Sequence, residues 1–134
     1  MTPFALLLQL CGLSHREGGD FLDVRPDTVK SWSAGRNRVP AGVIEQLRDL
    51  ARALDRTAER AVETILAETP ETADIEIGYP TDDYEARALG LPCVGAWSAM
   101  AARVIAAIDR PVRLVPRGST PATAAAIEAR ESCP

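Results

Sequence analysis

The sequence predicts a mainly α-helical chain with a small α+β part towards its C-terminal end, and three observations carry that prediction. Helix-opening signals recur at short intervals up to residue 40. One long apolar stripe of helical period follows. Beyond residue 72 the apolar period changes to two and returns to helical, and a second short strand follows. The 134 residues are 46% hydrophobic and 25% charged, a globular composition that excludes a disordered chain. Aromatic residues are only 4%, so the core must rest on Ala, Val, Leu and Ile.

The elements follow in order. Thr2-Pro3 is an N-cap with proline at the first helical position, opening a helix that Gly12 ends. Ser14-His15-Arg16-Glu17 is a capping box, in which the serine hydroxyl serves the amide three residues on and the glutamate reaches back. It opens a second helix to Leu22. Arg25-Pro26 opens a third, to Ser33, and Gly35 stops it before the exposed loop Arg36-Asn37-Arg38. Pro40 starts a long helix to about Leu66, with Val43, Leu47, Leu50, Leu54, Ala58, Ala61 and Ile65 on one stripe. At roughly 40 Å it outruns the three small helices, so its second half must pack on the C-terminal region or on a second subunit.

Ile75, Ile77 and Tyr79 alternate with Asp74, Glu76 and Gly78, a half-buried strand. Thr81-Asp82-Asp83 caps a short helix to about Ala88. A further helix spans residues 97–109, and residues 112–115 form a second short strand. Two short strands make a marginal sheet alone, and pairing across a dimer would relieve that. The tail beyond Pro116, rich in Ala, Thr and Pro, has one candidate helix after Thr120-Pro121 and no apolar stripe to anchor it. It reads as a mobile tail over residues 118–134.

Charge is uneven. Residues 1–60 carry 9 basic and 8 acidic side chains, and residues 61–134 carry 6 and 11. The net charge of −4 therefore sits in the back half and does not argue against nucleic acid at the front. Arg48, Arg52, Arg56 and Arg60 recur along one face of the long helix. Each has an acid three residues away, so a solvated, salt-laced face is favoured over a DNA-tracking stripe. No apolar run approaches the roughly 18 residues of a membrane span, so the expectation is a soluble cytoplasmic protein without membrane partners.

Catalytic chemistry finds little support. The chain has one histidine, and Cys11, Cys93 and Cys133 are scattered without paired spacing, so zinc is not expected. Phosphate-binding glycine loops and nucleophile motifs are absent. Asp82 and Asp83 are better read as first-turn dipole partners than as a metal pair. The expectation is a protein that is not an enzyme and needs no cofactor.

The informative segment is residues 13–40, LSHREGGDFLDVRPDTVKSWSAGRNRVP. Two short helices, a tight turn, a basic loop and a longer helix form the helix-turn-helix arrangement. A small residue, Gly19, stands where the helices touch, and Asp23 stands where the turn needs a positive φ. Val24, Val29 and Trp32 fill the inner positions, although a hairpin packed purely for structure stays open. The segment resembles the DNA-binding domain of the lambda-repressor/Cro-like family. Trp32-Ser33-Ala34-Gly35 followed by Val39-Pro40 is similar to that family's close, Trp-Glu-x-Gly and then proline. The chain departs from the family at Gly19, usually alanine, at Asp23, usually glycine, and at Ser33, usually glutamate. In layout, residues 3–115 also resemble compact phage and bacterial regulators, among them anti-CRISPR-associated autorepressors.

The resemblance implies that residues 26–33 are a recognition helix presenting Asp27, Thr28, Lys30 and Ser31 to bases. Lys30 would donate to guanine and Asp27 would accept from a cytosine amino group. The amide side chain common near the start of that helix is replaced by Pro26, so no base preference carries over. His15 and Arg16 would meet phosphate, and Arg36, Asn37 and Arg38 would clamp the backbone beyond. The expected organisation is a DNA-binding domain over residues 1–67, a small α+β dimerisation domain over residues 68–117, and the tail. The expected function is a homodimeric transcriptional regulator, a repressor on a palindromic operator of double-stranded DNA. The alternative is an antitoxin or DNA-binding adaptor whose acidic C-terminal half holds a protein partner.

Overall fold

The computed structural model describes residues 1–117. In chain order the elements are α1 (Pro3–Leu10), α2 (His15–Leu22), α3 (Pro26–Ser33), α4 (Ala41–Glu68), β1 (Ile75–Tyr79), α5 (Asp83–Ala88), α6 (Val94–Ala107) and β2 (Val112–Pro116). The protein is mainly α with a small α+β C-terminal part, as the sequence predicts. The reading of residues 118–134 as a mobile tail lies outside the described residues.

Local signals place the first three helices. Thr2 caps α1 by accepting from the Ala5 amide at 3.1 Å, and its hydroxyl donates to the Ser33 carbonyl at 3.0 Å, fastening α1 to the end of α3. Both halves of the Ser14–Glu17 capping box are made, at 3.1 and 3.0 Å. Asp23 ends α2 in the left-handed conformation, φ 58° and ψ 47°, where its short polar side chain is tolerated.

The helix α4 buries Leu47, Leu50, Ala51, Leu54 and Ala58. Its second half packs on α6 of the same chain, and α1 packs on α4 as well. Arg103 of α6 ties the three helices together. It pairs with Asp55 of α4 at 2.7 Å and donates to the Leu10 carbonyl at 3.2 Å. Phe4 and Trp32 meet edge to face at 5.6 Å inside a core that runs without a break from α1 through α6 to β1.

The strands find each other within the chain. β1 and β2 pair in parallel, Ile75 opposite Val112 through Tyr79 opposite Pro116, with α5 and α6 as the crossover. Ile75 is fully buried and Ile77, Tyr79 and Val112 pack against the core, while Glu76 and Arg113 pair on the opposite face.

Three boundaries differ from the sequence reading by two residues or more: the end of α4, which runs to Glu68, and both ends of α6. The helix α6 begins at Val94, three residues before the expected start, and ends at Ala107. Its first amides are satisfied from elsewhere in the fold: Asp83 accepts from the Val94 amide at 2.9 Å and Glu17 from the Gly95 amide at 3.2 Å. Asp83 therefore caps α6, while Asp82 is the N-cap of α5, accepting from the Glu85 amide at 2.8 Å. No described helix is long and apolar enough to cross a membrane.

Candidate nucleic-acid interface

Helices α2 and α3 pack directly on each other, and the packing decides which side chains of α3 are left over. Val29 and Trp32 point inward at 0% and 8% exposure. Residues three apart share a helical side, so Asp27 and Lys30 are turned to solvent, with Thr28 and Ser31 half-buried at the flanks. The close approach of the two helices rests on Gly19. A Cβ there would stand 2.8 Å from the Val24 carbonyl oxygen, inside backbone that cannot yield. At Gly18 a Cβ would meet Leu8 Cδ1 at 2.8 Å, the movable end of a side chain. Each glycine costs about 1 kcal/mol against alanine in an isolated helix, and the packing requires the one at Gly19.

The basic loop is attached to α3. Ser31 Oγ accepts from Asn37 Nδ2 at 2.6 Å, and the Ser31 carbonyl accepts from the Arg36 amide at 3.0 Å. Gly35 makes the bend at φ 77°. Arg36, Asn37 and Arg38 are all exposed. His15 opens α2 and lines a groove of about 380 Å³ with Ser14, Gln9 and Ser33. Ser33 Oγ is buried there without a hydrogen-bond partner among the described residues. Arg16, one residue on from His15, is exposed.

None of Arg16, Lys30, Arg36 and Arg38 forms an ion pair with a described residue. The same holds for Arg25, the exposed N-cap of α3, which is not among the sequence-predicted contacts because its sequence signal is that of a helix start before proline. On α4 the expected salt-laced face is made in part: Arg48 pairs with Glu45 at 2.7 Å and Arg52 with Asp49 at 3.0 Å, while Arg56 and Arg60 form no ion pair with a described residue.

A second cavity, about 320 Å³, lies between α2 and the start of α6 and is lined by Glu17, Asp20, Asp83, Arg87 and Cys93. Among the described residues no group of three or more His, Cys, Asp or Glu is arranged to hold a metal ion. Burial pushes the Cys93 thiol up to about 11, and the neighbouring Glu17 and Asp83 carboxylates push the same way, so it stays protonated and a poor nucleophile. Burial also raises Cys11, whose Sγ donates to the Leu47 carbonyl.

No protein-family model matches this chain, and no curated protein matches it either.

Proposed function

We propose that the protein is a sequence-specific DNA-binding transcriptional regulator, a homodimeric repressor that sets α3 of each copy into the major groove of a palindromic operator. The observation that carries this reading is the division of α3. Val29 and Trp32 hold it to the domain while Asp27 and Lys30 face out, flanked by the half-buried Thr28 and Ser31, between unpaired cations. Lys30 suits the acceptors of guanine and Asp27 the amino group of cytosine. Arg16, Arg25, Arg36 and Arg38 supply the phosphate contacts that give affinity and register, with His15 and Asn37 beside them. The resemblance of residues 13–40 to the lambda-repressor/Cro-like domain supports the same reading. The dimer follows from the operator, since one such helix reads only a few base pairs.

Selection of duplexes from a random pool by the purified full chain tests this. The expected outcome is a two-fold symmetric sequence whose half-sites lie about 34–36 Å apart, one helical turn. Recovery of unselected sequence would overturn it.

A DNA-binding adaptor or antitoxin is a second reading, favoured by one feature of the back half. Tyr84 and Leu89 are 76% and 42% exposed on and just after α5, next to Asp82 and Glu85, an apolar and acidic surface suited to a basic protein. Unselected DNA together with stoichiometric capture of a basic partner would favour that reading.

A further inference from the structure

The two-stranded sheet has an edge whose chemistry is unfinished. Arg117 donates its amide to the Tyr79 carbonyl at 2.9 Å, in register with Tyr79 opposite Pro116. Backbone groups alternate sides along a strand, so Arg113, Val115 and Arg117 direct theirs at β1. Those of Val112, Leu114 and Pro116 face away, and no described residue hydrogen-bonds to them. Pro116 has no N–H, and it falls at an outward position where the ladder of β1 and β2 loses nothing. Leu114 lies at the centre of this edge, on the face of Ile77, and its side chain is 45% exposed.

Natural edge strands are guarded by charge, by bulges and by proline, and here the proline, Pro116, stands only at the end of the edge. The one charged side chain of β2, Arg113, is neutralised by Glu76 of the adjoining strand. A second β2 can therefore approach without like-charge repulsion.

We propose that this edge is the seam of the homodimer, with β2 of one copy antiparallel to β2 of a second copy about a two-fold axis through Leu114. The dimeric regulator reading supplies the choice of occupant; the edge geometry supplies the rest. An antiparallel pair centred on a residue whose N–H and C=O both face the partner exchanges two hydrogen bonds at that residue. Val112 then donates to the Pro116 carbonyl of the other copy, once in each direction; the Val112 carbonyls, which proline cannot serve, are left to water at the two ends of the seam. The sheet becomes four strands in the order β1-β2-β2-β1. Along the core-side face a row Ile77, Leu114, Leu114, Ile77 crosses the axis without interruption. Four strands on helices make a durable sheet where two are marginal.

Two measurements on the full chain test the seam. The first is amide hydrogen exchange of the unmodified protein at high and low concentration. The Leu114 amide is expected to exchange at least about tenfold more slowly in the concentrated sample, as a hydrogen-bonded amide does. Fast exchange at both concentrations overturns the proposal. So does slow exchange at both in a protein that sediments as a monomer, which would give the edge to residues 118–134 of the same chain.

The second uses Leu114→Lys and Leu114→Glu. Each places like charges opposite one another at the axis, so each alone should sediment as a monomer while an equimolar mixture sediments as a dimer. Dimers of both single variants, or monomers in the mixture, overturn the placement of the axis at Leu114. DNA is not a readout in either arm. Symmetric duplexes selected by a protein whose Leu114 exchanges freely would defeat the seam alone, and a dimer through β2 that selects no DNA would defeat the regulator reading alone.

Discussion

The Glu17 carboxylate closes two helices that belong to opposite ends of the chain. Its Oε1 accepts from the Ser14 amide at 3.0 Å, completing the cap of α2, while its Oε2 accepts from the Gly95 amide at 3.2 Å in the first turn of α6. The same junction brings the backbones of Gly12 and Gly95 together so closely that a Cβ on either would stand 2.2 Å from the other's carbonyl oxygen. One side chain thus sets the putting-together of the helix-turn-helix and the C-terminal part.

The double cap makes stability depend on pH in a definite direction. Burial alone would push the Glu17 carboxyl up, but hydrogen bonds from the Ser14 amide, the Cys93 thiol, the Ser14 hydroxyl and the Gly95 amide outweigh it and hold the group below the usual carboxylate range. A lowered folded-state pKa stabilises the protein above the unfolded value, about 4.3, and that contribution is lost as pH falls through the folded value. Glu17→Gln should cost about 1–2 kcal/mol at pH 7, the scale of a lost helix cap. The gap between variant and parent should close in acid; thermal melts of both proteins between about pH 7 and pH 3 check it. A gap that widens in acid would contradict this assignment.

Glycine-to-alanine changes should separate by what stands in front of the new methyl group. Gly19→Ala faces the Val24 carbonyl at 2.8 Å and should destabilise by about 1–3 kcal/mol despite the better helix propensity. Gly42→Ala, at the start of α4, meets nothing within 4 Å and should stabilise by up to about 1 kcal/mol. Denaturant unfolding of the two variants measures both signs.

Folding and base reading should part company on α3. Trp32→Ala removes a buried ring packed on Phe4 and should cost about 3–5 kcal/mol, losing DNA binding through unfolding. Lys30→Ala touches an exposed side chain, so the melting temperature should hold. Binding to the selected duplex should nevertheless weaken by about 1–3 kcal/mol and one base position should relax. Melts paired with binding to specific and scrambled duplexes decide; equal binding of parent and variant to every duplex removes Lys30 from the readout.

The loop arginines should give affinity without specificity. Replacing Arg36 and Arg38 by alanine should weaken binding to all sequences and lower the salt slope by about 1–2 units. Arg48→Ala with Arg52→Ala should leave the slope unchanged, because those guanidinium groups are engaged with Glu45 and Asp49. Titrations across a range of salt concentrations compare the two double variants, and an unchanged slope for the loop pair would exclude it from the interface.

What the sequence alone determined is local. Thr2-Pro3, the Ser14–Glu17 box, Arg25-Pro26 and Pro40 placed the starts of four helices within a residue, because caps and proline act on their own backbone neighbours. The period of two marked β1 for the same reason, since each residue's face depends only on its place in the pleat. The outward side of α3 was legible too, once Val29 and Trp32 were read as inner positions three apart. Tertiary structure decided whatever depends on groups distant in sequence. It moved the start of α6 back to Val94, because its first amides are satisfied by Asp83 and by Glu17, the latter 78 positions away from Gly95. It explained the Gly18-Gly19 pair, whose missing methyl groups matter only against Leu8 and the Val24 carbonyl. And it chose the parallel pairing of β1 with β2, a register set by how α5 and α6 pack between them, which no strand carries in its own five residues.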